Sequence, residues 1–409
     1  MLGNTSTGQP PATSRNGRIL YLDSLRVIAM LLVFLFHSTK AFTVGEWHVK
    51  NDQISMVVTV LFDAFLGPWG MPFFFLLAGA GAWFALQRRS ARQFANERIM
   101  RLLIPYLVGS ALFTPLQNYF ECNYYIRIDN YSGSCVQFFI DDWPGLNPGL
   151  AGWIGYHLWF LIFLFLFSLL GLPLLVWLKG AGQGFVARLG RFCEPRGAIL
   201  ILALFPLLFQ AGLRPIFPGE QNWADFVFDF FFFLSGYLIF ADKRFVQAIR
   251  RDRWLAFAAG SLALFGILAT LAIGNAEALF SNPDEPGYRF FWALVGIDAW
   301  SWSIVMLYVG MRFLDFTNQW FSYGQEAVVP IYLVHQPVIV ALAYYVVQWQ
   351  TGILVKMPVV ILISFAVTSM VYWLLIRNLK PLRFMFGMKP YARKQLREPA
   401  ISGSPTPLS

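Results

Sequence analysis

The sequence predicts an all-α, polytopic integral membrane protein with about ten transmembrane helices, and three observations carry that prediction. Of 409 residues, 57% are hydrophobic and only 13% are charged, with 42 Phe and 15 Trp, which is far from the composition of a soluble domain. Apolar runs long enough to cross the roughly 30 Å hydrocarbon core recur from end to end. Arginine and lysine, finally, concentrate in alternate connections between those runs.

The first run, "YLDSLRVIAMLLVFLFHSTKAF", covers residues 21–42 and nearly supplies the twenty or so apolar residues that a span needs. No A-x-A cleavage pattern follows it, so it is expected to stay as the first helix, within a span at 20–42. Further spans are expected at 57–86, 102–118, 154–178, 198–217, 223–241, 255–274, 291–311, 327–349 and 354–376. Residues 1–17 are rich in Gly, Ser, Thr, Asn and Pro and read as a disordered tail, and 381–409 read as a basic, largely disordered cytoplasmic tail. The membrane domain is then 18–380.

Arg88, Arg89, Arg92, Arg98 and Arg101 fall in one connection, Lys179 to Arg196 in another, and Lys243 to Arg253 in a third. The opposite connections carry isolated Lys50, Arg127, Arg214, Arg289 and Lys356 among more numerous acids. The positive-inside rule places both termini in the cytoplasm. It accounts for the net charge of +9 without a nucleic-acid partner, and anionic lipid contact fits the same bias. Cys122 and Cys135 share the long outer loop 119–153, where a disulfide is chemically allowed, while Cys193 falls on the cytoplasmic side. No zinc pattern is present, so no metal is expected.

The end of that outer loop, with Trp143, Pro144, Gly145, Pro148 and Trp153, suggests a cap lying against the membrane. "FFFLLAGAGAWFALQRR" from Phe73 and "FFFLSGYLIFADKR" from Phe231 look alike. A transporter-like internal repeat is one reading, and coincidence in so Phe-rich a chain is the favoured one.

Ionisable residues inside apolar runs are costly and normally face a partner or a polar cavity. Arg26 and His37 are eleven apart, so they share a helix face with about 16 Å between them along the axis. Asp23 precedes Arg26 by one turn, and the bland reading of Asp23 is that it only aligns Arg26. His157 opens the fourth run in "GYHLWFL" and His335 lies in "PIYLVHQP"; His335 between two prolines reads first as a structural histidine, whereas His37 does not, because Arg26 shares its face. His48 reads as an outer-loop histidine without a role. Asp63, Asp225, Asp229 and Asp298 are buried carboxylates in want of partners; Asp225 and Asp229, four apart, call for a neutral member or a basic group from another helix. Arg98 and Arg101 in "NERIMRLLIPY" point the same way on a helical entry, and paired guanidinium groups suit phosphate. The bland alternative is positive-inside topology alone. No Walker loop, G-x-S-x-G elbow or H-E-x-x-H is found.

Taken together, Arg26-x10-His37 within "LDSLR", Arg98-x-x-Arg101, "HLWFL" and "YLVHQP" make the chain resemble the bacterial acyltransferase family 3, membrane O-acyltransferases that decorate extracytoplasmic glycans. The resemblance covers about residues 18–380. It implies a plasma (inner) membrane, multi-pass enzyme that takes acyl-CoA as cytoplasmic co-substrate, binds no cofactor, and acylates a hydroxyl of an extracytoplasmic carbohydrate. It implies His37 as catalytic residue, either base or nucleophile; Arg26, Arg98 and Arg101 as donor-binding residues; and Asp23, His157 and His335 as supporting candidates. The layout looks most like the branch that includes the glucan-modifying succinyltransferases, and the chain is expected to lack the fused esterase-like domain of some members. The competing readings are a transporter without enzymatic activity, which for neutral solutes would have no need of the arginine pair, and a glycosyltransferase using Asp141 and Asp142, which read more simply as a turn before Trp143.

Overall fold

The computed structural model describes residues 20–141, 156–316 and 319–389, and all regular structure among them is helical. The expected tail 1–17, the cap formed by Trp143 to Trp153 together with Asp142, and residues 390–409 lie outside the described residues.

In chain order the main helices are α1 (Leu20–Phe42), α2 (Met56–Arg88), α3 (Ala91–Arg127), α4 (Tyr156–Lys179), α5 (Ala198–Leu213), α6 (Trp223–Ala241), α7 (Lys243–Ile273), α8 (Tyr288–Phe313), α9 (Gln319–Val346) and α10 (Ile353–Ile376), followed by a short α11 (Lys380–Met385). Eight of them are long and apolar enough to cross a bilayer. The chain is therefore a polytopic membrane protein. α4 is a ninth candidate, bent by 52° at Gly171. Its cause is local: Pro173 has no N–H and tolerates only the first turn of a helix, so the helix restarts there. α5 is the one predicted span that falls short, since 198–213 rises only about 24 Å and is interrupted after Ile201.

Two helices begin well before their apolar runs. α3 starts at Ala91 because Ser90 and Gln93 form a capping box, Ser90 Oγ accepting from the Gln93 amide at 3.3 Å and Gln93 Oε1 from the Ser90 amide at 3.1 Å. α7 starts at Lys243 because Asp242 caps it, accepting from the Arg244 amide at 2.9 Å. Arg98 and Arg101 thus belong to a helix, not to a connection. Both α2 and α3 contain a π-helical stretch, Val60–Leu66 around Asp63 and Ile99–Leu103 around Arg101, and such wide turns are common near functional sites.

The look-alike stretches pack against each other. A Cβ on Gly79 would stand 1.8 Å from the Phe233 carbonyl oxygen, and one on Gly236 would stand 1.9 Å from that of Leu76. Each glycine admits the other helix's backbone, the small-residue contact by which membrane helices approach closely. This crossing of α2 and α6 is the tightest seam of the core.

The buried carboxylates divide. Asp63 takes Lys40 Nζ at 3.1 Å. Asp225 takes Arg214, whose guanidinium also lies 4.0 Å over the Trp292 ring, so the basic group expected from elsewhere comes from the segment after α5. Asp229 and Asp298 are 3% and 0% exposed and keep carboxylate oxygens without a partner among the described residues. Cys122 and Cys135 are joined by a disulfide that ties the short helix Cys135–Asp141 to the end of α3, and Cys193 is a buried free thiol. The expected disordered tail is corrected for its first residues, since 381–389 fold back as α11 and a turn.

Candidate active site

Residues 26, 30, 33 and 37 recur at helical spacing along one face of α1. In its second turn Arg26 donates to Asp23 Oδ1 at 3.0 Å, the local pairing expected, and to the Leu77 carbonyl of α2 at 3.0 Å. Gly81 makes room for it, because a Cβ there would come within 2.7 Å of Arg26 Nη2.

At the other end three histidines from three helices meet. The ring centroids of His37 and His335 are 5.0 Å apart, those of His157 and His335 5.1 Å, and those of His37 and His157 6.2 Å. Backbone carbonyls can only accept, and that fixes the protons. His335 Nδ1 stands 2.7 Å from the Tyr332 carbonyl and must carry a proton, which leaves His335 Nε2 as a lone pair. His37 Nδ1 lies 3.0 Å from the Val33 carbonyl and 3.1 Å from that lone pair, so it donates to both. His37 Nε2 is therefore the unprotonated nitrogen, and it makes no hydrogen bond among the described residues. His157 Nε2 donates to the Tyr332 carbonyl at 3.1 Å, while the Tyr332 hydroxyl donates back to the His157 carbonyl. His335 therefore bonds a backbone carbonyl, as the structural reading has it, and also touches His37.

Beside Met30 and Val33, midway along this face, lies a small apolar cavity of about 30 Å³, lined also by Met71, Phe74, Phe160 and Tyr332. It holds no charged side chain. Beyond the Arg26 end, the α3 bulge presents Arg98 with its guanidinium 4.5 Å over the Phe94 ring and its buried Nε without a partner among the described residues. Arg26, Arg89 and Arg101 lie within electrostatic reach of it. Arg101 faces aside to Glu97 at 3.2 Å, a carboxylate that also takes Arg89 at 2.7 Å. Asp23, Arg26 and Arg98 thus lie toward one end of the α1 face and His37, His157 and His335 meet at the other, with Arg101 turned to Glu97.

Sequence reasoning missed a second chain beside the histidines. His48 is only 7% exposed; its Nδ1 lies 2.5 Å from Glu121 Oε2, and its Nε2 is 3.0 Å from the side-chain amide of Gln336, the neighbour of His335. The signal available was weak: a carboxylate near the end of α3 and a glutamine within "YLVHQP". Among the described residues no three His, Cys, Asp or Glu side chains are grouped to hold a metal ion.

The acyltransferase domain family model matches residues 19–377, nearly the whole of the described bundle. The chain belongs to acyltransferase family 3. It is 23% identical over 403 residues to "Glucans biosynthesis protein C" of Salmonella schwarzengrund, covering 93% of this chain and 97% of that protein, and matches the proteins of the same name from Salmonella heidelberg and Salmonella typhi to the same extent. No solved structure gives a significant match. The acyltransferase family 3 assignment makes the protein a membrane acyltransferase and sets the transporter and glycosyltransferase readings aside.

Proposed function

We propose that this acyltransferase takes an acyl group from acyl-CoA on the basic, cytoplasmic side of the plasma (inner) membrane and passes it to a hydroxyl of an extracytoplasmic glycan or glycolipid. The observation that carries the reading is the α1 face itself. It bears a cation at one end, an imidazole with a defined free nitrogen at the other, and a small apolar cavity midway.

Arg98 and Arg26 hold the donor's phosphates, with Arg101 exchanging Glu97 for them, and the pantetheine arm extends along the α1 face, widening the small cavity beside Met30 and Val33, over the 16 Å or so between Arg26 and His37. His37 Nε2 takes the proton of the acceptor hydroxyl as its oxygen attacks the thioester carbonyl; the carbon–sulfur bond breaks and the coenzyme A thiolate recovers the proton. His335 accepts from His37 Nδ1 and steadies the imidazolium, and His157 fixes Tyr332 beside the cavity. No cofactor takes part. The disulfide side faces the oxidising compartment, in agreement with the basic loops facing the cytoplasm. The match to proteins named for glucan biosynthesis favours a glucan-like acceptor.

The test is thioester consumption and acyl transfer by purified protein in liposomes, with a panel of acyl-CoAs and a neutral glucan acceptor. Wild type is expected to consume at least one donor and His37→Ala to consume none. A folded wild type that neither binds nor consumes any acyl-CoA would overturn the reading.

A further inference from the structure

The family match ends at residue 377, yet the chain beyond it packs against the arginine bulge. α11 ends in a Schellman turn, with the Gly387 amide bonded to the Phe384 carbonyl at 3.1 Å and the Met388 amide to that of Arg383 at 2.8 Å. Gly387 has φ +70°, which glycine alone adopts without cost, and a Cβ there would stand 2.9 Å from the Arg101 carbonyl oxygen, 2.9 Å from Pro105 Cγ and 3.4 Å from Arg101 Cα. The turn therefore sits directly on the backbone of the π-helical stretch Ile99–Leu103. Phe386 is 4% exposed and meets the Phe113 ring of α3.

Arg383 fixes this turn from the other side. Its Nη2 donates to Glu326 of α9 at 2.8 Å and to the Lys389 carbonyl at 2.7 Å, and its Nη1 donates to the Arg377 carbonyl at 3.1 Å. Glu326 lies nine residues before His335, about 14 Å along the same helix. One arginine thus joins the end of α10, the C-terminal turn and the helix that carries His335.

We propose that the turn Lys380–Lys389 is the backing wall of the donor site, and that Gly387 and Arg383 are positioning residues that set the backbone from which Arg98 and Arg101 project. Neither touches the reacting atoms. The proposal rests on the reading of Arg98 and Arg101 as phosphate ligands only for its functional half. The π-helical stretch is continued by α-helix on both sides, and at its wide turn the Gly387 contact, which leaves no room for a Cβ, gives the Arg101 backbone a fixed surface to rest on.

The test uses the full-length protein in detergent, with Gly387→Ala, Gly387→Val and the milder Glu326→Gln, read in two ways. Hydrogen exchange across Ile99–Leu103 reports the wall without any donor, and the donor KM against kcat reports its use. The expected result is faster exchange in the bulge, largest for Gly387→Val, with donor KM raised about tenfold and kcat changed less than about twofold. Unchanged exchange in folded Gly387→Ala and Glu326→Gln overturns the wall. Faster exchange with unchanged donor KM overturns its positioning role, and faster exchange in a protein that binds no acyl-CoA supports the wall while overturning the donor reading itself.

Discussion

Arg26 and His37 share one face of α1, yet the two ends of that face are built on opposite rules. At the arginine end the side chains are half open, Arg26 at 31% and Arg101 at 34% exposed, and each pairs with a carboxylate, Arg26 with Asp23 and Arg101 with a Glu97 that also serves Arg89. At the histidine end His335 is 0% and His157 5% exposed, and their partners are backbone carbonyls. Exposed ion pairs contribute little and exchange readily, whereas buried bonds to carbonyls leave a ring one orientation and one tautomer. The difference separates a compliant end from a fixed one, which is what the proposed donor clamp and the proposed catalytic base would each require.

Substitutions can break or sharpen that contrast. The largest effect is expected for His37→Ala, a loss of activity of at least about 10²-fold in a folded protein, consistent with removal of a general base; near-normal acyl transfer by this variant would remove His37 from the chemistry. His335→Ala should come next, lowering kcat about tenfold or more with the donor KM kept, since it takes away the lone pair behind His37 Nδ1. Steady-state kinetics in liposomes check this, and a change confined to KM would mean that the histidine end also binds the donor. Arg98→Ala is expected to raise the donor KM about tenfold at nearly constant kcat, with Arg98→Lys recovering only part because a lysine lacks the planar fork. Glu121→Gln should act more mildly, reducing kcat by about two- to fivefold through His48 and Gln336. Its unfolding temperature, followed beside its kinetics, tells loss of positioning from loss of stability. The smallest effect on activity is expected for Cys122→Ser, which frees the helix Cys135–Asp141 from the end of α3; it should lower thermal stability while leaving kcat within about twofold.

How far the sequence carried this site depends on whether partners lie in one helix or several. Arg26 with His37, and Asp23 with Arg26, were legible because helical periodicity alone relates them. Arg98 and Arg101 were legible as a pair, though not their unequal surroundings, because Phe94 and Glu97 divide them only once α3 is known to start at Ser90. His157 and His335 were legible as candidates, but their meeting with His37 depends on the packing of α1, α4 and α9. His48 was misread for the same reason: Glu121 is 73 residues away and Gln336 288, and no local pattern predicts either contact. The spans were legible from hydropathy, and their true starts were not where a cap extends a helix into charged residues, as at Ser90 and Asp242. The reciprocal glycines of α2 and α6 were visible only as a resemblance between two stretches.

The apolar cavity also bears on permeability. An enzyme that, as proposed, admitted a charged donor from one side and worked near the other would run the risk of becoming a leak for ions. Between Arg26 and the histidines the lining of Met, Val and Phe side chains offers an ion nothing to replace its hydration shell, and shedding that shell is prohibitive. The flexible thioethers of Met30 and Met71 can part for a slender organic arm and close behind it. On the proposed mechanism, the packing that lets the arm in would also keep the bilayer sealed against ions.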